Sequence, residues 1–247
     1  FLLGEAESGV LDAFLEDLAE GKPKTAYVRH VIRAKKQERE MDEYEWNRLL
    51  DSFGSDVDIR QVPSYPDIND SPVPRFDLID LDAYGSMVVQ LSRGCPYSCE
   101  FCSEPALFGH QPRVKNPERI IQELETYYHL GYRGSVFFVD DNFIGNRDKV
   151  LRVLDELKRY QEKRSYPFSF YTEASLNLAH NPDLMTAMRD AGFDMVFVGI
   201  ETTDASTLEA AHKRQDTGAE LLTEIVYLFA YIVRLLVHTN NKTGGNF

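Results

Sequence analysis

Along the chain the hydrophobic positions switch repeatedly between the two-residue period of a strand and the three-and-four spacing of a helix. The regular part begins at Met87-Val88-Val89-Gln90-Leu91, which reads as a short buried strand. A helix is expected to start at Asn116-Pro117-Glu118, because Asn can cap and Pro suits the first helical position. Ile120, Ile121, Leu124, Tyr127 and Tyr128 fall on one face of it, and Gly131 offers a stop. A second strand is expected over 135–139, then a helix over about 147–162 with Val150, Leu151, Leu154 and Leu157 inward, then a third strand over 168–172. Asn181-Pro182-Asp183 opens another helix, which buries Leu184, Met185 and Met188 and ends near Gly192, and a fourth strand spans 195–200. Aromatic residues around 166–171 read as alternating core positions of the third strand.

Strand and helix alternate four times at about 30 residues per unit, the signature of right-handed βαβ units and a parallel sheet. The fold class is α/β, a βα barrel or part of one. Upstream, Phe1 to about Gly21 reads as a strand end and a short helix carrying Val10, Leu11, Phe14, Leu15 and Leu18, the tail of a domain. Residues 22–60 mix charged stretches with a helical pattern near 38–53. Pro63, Pro66, Pro72 and Pro74 place an extended linker at about 61–80. The barrel portion is expected over 81–217 and a divergent segment over 218–247.

The formal charge of −13, from 40 acidic against 27 basic residues without a basic patch, argues against nucleic acid as a partner. The apolar run 225–237 is interrupted by Arg234 and is shorter than the ~20 residues that cross a bilayer, so no membrane span is expected. No signal-peptide pattern opens the sequence, which points to the cytoplasm, and Phe1 in place of Met suggests a start inside a longer product. All three cysteines lie between 95 and 102, which favours a metal site in a reducing compartment over a disulfide framework.

In α/β barrels the reactive groups gather after the C-terminal ends of the strands. Strand one is followed by the cysteines, strand two by Asp140-Asp141-Asn142, strand three by Glu173, Ser175 and Asn177, and strand four by Glu201-Thr202. The cysteines have the spacing CxxxCxxC in Arg93-Gly94-Cys95-Pro96-Tyr97-Ser98-Cys99-Glu100-Phe101-Cys102. Three thiolates can hold three irons of a cubane cluster and leave the fourth iron open. The alternative is a zinc site with His110 or another residue as fourth ligand. For Asp140 and Asp141 the plain alternatives are helix capping or solvation, and for Glu173 and Glu201 a structural salt bridge. His30, His129, His180, His212 and His238 are scattered and receive no role.

The cysteine loop closely resembles that of the radical S-adenosylmethionine superfamily, which carries the same spacing with an aromatic residue just before the last cysteine, as Phe101 is here. The resemblance implies a partial (βα) barrel of that type. It further implies a 4Fe-4S cluster on Cys95, Cys99 and Cys102, with S-adenosylmethionine chelating the unique iron and being cleaved reductively to a 5′-deoxyadenosyl radical. An electron donor such as flavodoxin or ferredoxin would supply the reduction. The family usually has a Gly-Gly-Glu-like segment after its second strand to meet the methionine ammonium, and Asp140-Asp141-Asn142 occupies that place. Glu173 is placed to bind the ribose hydroxyls with Ser175 beside it, and Glu201 lies in a Gly-Ile-Glu segment like the family's after strand four.

Gly4-Glu5-Ala6-Glu7 with Phe14-Leu15-Glu16-Asp17-Leu18 resembles the end of a cobalamin-binding domain over 1–21, and Pro72-Val73-Pro74-Arg75-Phe76-Asp77-Leu78 the connector within 22–80. The segments 138–146 and 171–179 are similar to hopanoid C2-methylase-like proteins. This branch implies cobalamin, its site mostly outside this chain, and methylation of an unreactive carbon in a small-molecule or lipid substrate, with an isoprenoid among the candidates. After Thr217 the resemblance stops, as a truncated or frame-shifted product would show. A fragment that keeps the iron-sulfur site without turnover, and a zinc-binding interaction module, are the competing expectations.

Overall fold

The computed structural model describes residues 2–3, 5, 9–30, 58–63, 65–202 and 204–213. The expected helix near 38–53 and the segment 218–247 lie outside the described residues. The chain divides into two compact units, one from residues 1–72, 94–98 and 102–113, the other from 73–93, 99–101 and 114 onward.

In the first unit, strands β1 (Leu2–Leu3), β2 (Ala26–His30) and β3 (Ile59–Pro63) form a parallel sheet in that order. Ala26 pairs with Ile59 and His30 with Pro63, which ends the strand where a missing N–H costs least. The sequence pattern predicts no strand between 22 and 60 and an extended linker from about 61. The structure corrects both, because these two short strands depend on each other and not on a local run of strand formers. Helix α1 (Leu11–Ala19) buries Val10 and Ala13 with Tyr27 and Val62, and Phe14 meets Tyr27 edge-on at 5.6 Å. Arg60 holds the helix from β3 by pairing with Asp17 at 2.6 Å and Glu16 at 2.7 Å.

The second unit is a four-stranded parallel sheet in the order β4 (Met87–Val89), β5 (Gly134–Phe138), β6 (Phe168–Ala174) and β7 (Phe193–Val198). Helices α3 (Pro117–His129), α4 (Arg147–Lys163) and α5 (Pro182–Ala191) connect these strands, while α2 (Glu104–Phe108) belongs to the first unit. A short helix α6 (Ala205–Ala210) follows β7, with Asp204 capping Thr207 N. One face of the sheet packs on the helices through Val89, Val136, Phe138, Phe168 and Phe170, with Ile120, Leu124, Val150, Leu154, Leu157, Leu184 and Met188 opposite. Phe138, Phe170 and Phe193 form an aromatic centre with ring centroids 5.2–5.4 Å apart.

Phe168 and Phe170 occupy the core as expected, but Tyr171 points to the other face, where it stacks on Phe137 at 4.8 Å. Tyr166 lies ahead of β6 with φ 55°. Neither Asn116 nor Asn181 caps its helix through its side chain; Asn181 Nδ2 donates instead to the Asn177 carbonyl. Gly192 ends α5 at φ +102°, and a Cβ there would lie 2.6 Å from Gln161 Nε2.

Candidate active site

The cysteine loop begins at Gly94, whose φ of +95° belongs to the region that glycine tolerates. In the first unit Cys95 N donates to the Gly109 carbonyl at 3.2 Å, and Gly94 N donates to the buried Glu104 carboxylate at 3.0 Å. Arg113 pairs with the buried Glu5, donates to the Pro66 carbonyl at 2.9 Å and lies over the Tyr65 ring. In the second unit Glu100 N donates to the Ala211 carbonyl at 3.0 Å, and Phe101 stands exposed beside it. Cys95 and Cys102 belong to the first unit, Cys99 and Phe101 to the second. Spacing along the chain is what groups the three cysteines.

All three thiols are of intermediate exposure and none is in a disulfide. Among the described residues no three His, Cys, Asp or Glu side chains converge tightly enough to hold a single metal ion. A cubane spreads three thiolates over three irons, so it does not require them to meet at one point. The donor chemistry, three accessible thiols on a loop held by backbone hydrogen bonds, fits such a cluster.

The second unit places the remaining candidate residues at the C-terminal ends of its strands. Asp140, just after β5, is only 2% exposed. Its carboxylate accepts from Leu91 N at 3.0 Å, from Ser92 Oγ at 2.6 Å and from Ser92 N. Burial pushes its carboxyl up to about 6, against the pull of these donors and of the Lys115 charge. Asp141 is exposed, as alternation at a strand end predicts. Its charge adds to partial desolvation in raising the Glu173 carboxyl above the ordinary glutamate range. Those two acids are therefore neighbours.

Asn142 is buried, and its Oδ1 accepts from Ser175 N at 3.4 Å and Ser175 Oγ at 3.3 Å. Its Nδ2 has no hydrogen-bond partner among the described residues. Ser175 Oγ also donates to Asn177 Oδ1 at 2.7 Å, and Phe143 N donates to the Glu173 carbonyl at 2.9 Å, which ties the ends of β5 and β6 together. Glu201 stands apart from these groups in its bonding. Its φ is +61°, and its carboxylate pairs at 3.1 Å with the buried Lys213 Nζ, which also donates to the Gly199 carbonyl. Ser92, Glu104, Lys115 and Lys213 are polar anchors that no motif or period in the sequence marks.

Comparison with known proteins places this arrangement among relatives. The family model of the radical SAM superfamily matches residues 89–238. An uncharacterized methyltransferase of Synechocystis sp. is 49% identical over 172 residues, 70% of this chain and 32% of that protein. The hopanoid C-2 methylase of Rhodopseudomonas palustris is 41% identical over 165 residues, 67% of this chain and 31% of that protein. The chain thus spans about a third of the length of the curated relatives it matches. Among solved structures, the cobalamin-dependent S-adenosylmethionine radical enzyme OxsB matches 89% of this chain and 36% of its own with a TM-score of 0.56. The radical S-adenosylmethionine methyltransferase TsrM of Kitasatospora setae matches 62% and 27% with a TM-score of 0.51. Both are 18% identical to this chain and bear on the fold alone. With a parallel βα sheet, CxxxCxxC after its first strand and a family match over more than half its length, the chain belongs to the radical SAM superfamily.

Proposed function

We propose that this chain is the radical-generating part of a methyltransferase that binds a 4Fe-4S cluster on Cys95, Cys99 and Cys102 and acts on S-adenosylmethionine. The observation that carries the reading is the three-thiol loop set directly after β4 of a parallel sheet whose next two strand ends bear Asp141 and Glu173. When bound, the reduced cluster supplies the electron that breaks the sulfur to C5′ bond of S-adenosylmethionine.

The residues present suit the remaining tasks. Asp141 and Glu173, two acids of which the second is raised by partial desolvation and then by the charge of the first, favour a cationic guest, and S-adenosylmethionine carries both a sulfonium and an ammonium. Asn142 offers a buried N–H donor at the same strand end, and Ser175 orients it. Glu201 contributes through its pair with Lys213, which fixes the turn after β7. The cross-strand row of Val88, Phe137, Tyr171 and Met195, exposed at its two ends and half-buried between them, supplies an apolar wall suited to excluding water.

The similarity to hopanoid C-2 methylase supports the finer reading. In it, cobalamin held mostly outside this chain accepts a methyl group and delivers it to an unreactive carbon of an apolar, isoprenoid-like substrate. A flavodoxin or ferredoxin of the cytoplasm would serve as reductant. Anaerobic reconstitution with iron and sulfide tests the core of the proposal. Near four irons per chain, with 5′-deoxyadenosine formed on reduction, is the expected result, and Cys99→Ala should lose both. Stoichiometric zinc without iron uptake would overturn it. Transfer of a labelled methyl group to an isoprenoid lipid by the protein supplied with cobalamin tests the methylase reading separately.

A further inference from the structure

The cysteine-bearing segment is rooted in the second unit at residues 91–92 before it and 114–115 after it. Both roots converge on Leu91. Its N–H donates to Asp140 Oδ2 at 3.0 Å, and its carbonyl accepts from Lys115 N at 2.8 Å. Ser92 gives both its N–H and its hydroxyl to Asp140 Oδ1. Lys115 in turn is pinned by a buried ion pair with Glu123 at 2.6 Å, and its charge is felt at Asp140. The polar network lies behind the sheet end, not open to solvent, since Asp140, Ser92, Lys115 and Glu123 are all buried.

We infer that Asp140 is a positioning residue for the cysteine loop and not a contact to S-adenosylmethionine. The inference rests on the cluster reading above. Both carboxylate oxygens already receive donors from the backbone three and four residues ahead of Cys95, and a counter-charge is already present in Lys115. An ammonium ion would have to displace these buried bonds to reach Asp140. Its neighbour Asp141 is exposed and has no such engagement among the described residues, so the two adjacent acids divide the work: Asp140 faces the protein and Asp141 the guest. By fixing Leu91 and Ser92, Asp140 sets where the chain leaves the sheet on its way to Cys95.

The test uses the chain reconstituted anaerobically and held in the absence of S-adenosylmethionine. In Asp140→Asn the amide turns an N–H toward donors, and iron loss to a chelator is expected to be about tenfold faster, equivalent to about 1.4 kcal/mol. The electron paramagnetic resonance signal of the reduced cluster should broaden before any S-adenosylmethionine is added. Ser92→Ala removes one contact without inserting a new donor and should show the same changes at about threefold; it serves if the Asn variant does not fold. Normal iron retention and a normal signal in both variants, with only the S-adenosylmethionine-induced spectral change lost in Asp140→Asn, would overturn the inference and make Asp140 a cofactor contact. Failure of the wild-type chain to take up iron would instead overturn the cluster reading. Hydrogen exchange at the Leu91 and Ser92 amides of the cluster-free chain reports the clamp independently: protection lost in Asp140→Asn supports it, and protection retained contradicts it.

Discussion

At Gly94 the backbone turns into the cysteine loop with φ +95°, and a Cβ would lie 2.8 Å from the Gly109 carbonyl oxygen. Both facts forbid a side chain there. Gly94→Ala is expected to cost at least about 1–2 kcal/mol of stability from the backbone conformation alone, measurable as a lowered urea midpoint. Asp141 and Glu173 give a second single-residue expectation. Partial desolvation and the Asp141 charge raise the Glu173 carboxyl, so the folded chain holds its proton to a higher pH than the unfolded chain does. This group therefore lowers stability as pH rises from the ordinary glutamate range through its raised value. Asp141→Asn should bring the Glu173 pKa down and narrow that window, as a carbon NMR titration of the carboxyl would show; an unchanged value would mean that the two charges do not couple.

Among the elements, α4 owes its place to Val150, Leu154 and Leu157, all fully buried against the sheet. Leu154→Ala should cost about 2–5 kcal/mol, seen in thermal unfolding of the cluster-free chain. The same spacing is why this helix, α3, α5 and the four strands of the second unit were legible in the sequence: each carries its own period and a breaker at its end. Strands β2 and β3 were not, because Ala26-Tyr27-Val28-Arg29-His30 and Ile59-Arg60-Gln61-Val62-Pro63 are short and gain their stability from pairing with each other. The cysteine loop was legible for a related reason, since its pattern is complete within eight residues. Its supports were not. Asp140 reaches Ser92 across 48 positions, Arg113 reaches Glu5 across 108, and Lys213 reaches Glu201 across 12, and no periodicity encodes such pairs.

Across the whole molecule, the acidic surplus weakens attraction to a polyanionic partner. No helix among the described residues is long and apolar enough to cross a membrane. If the strand ends bind S-adenosylmethionine, the chain should melt at a higher temperature in its presence, gaining about 2.7 kcal/mol at a hundredfold excess over Kd. The buried Nδ2 of Asn142, which has no partner among the described residues, gives that gain a particular character. An unanswered buried donor costs about 1–3 kcal/mol, and among the described residues nothing offsets that cost. A guest that brings an acceptor removes it, so binding there should release heat. Stability and affinity thus pull in opposite directions at one amide group: a sequence optimised only to stay folded would not keep that donor, and one optimised to hold its guest would.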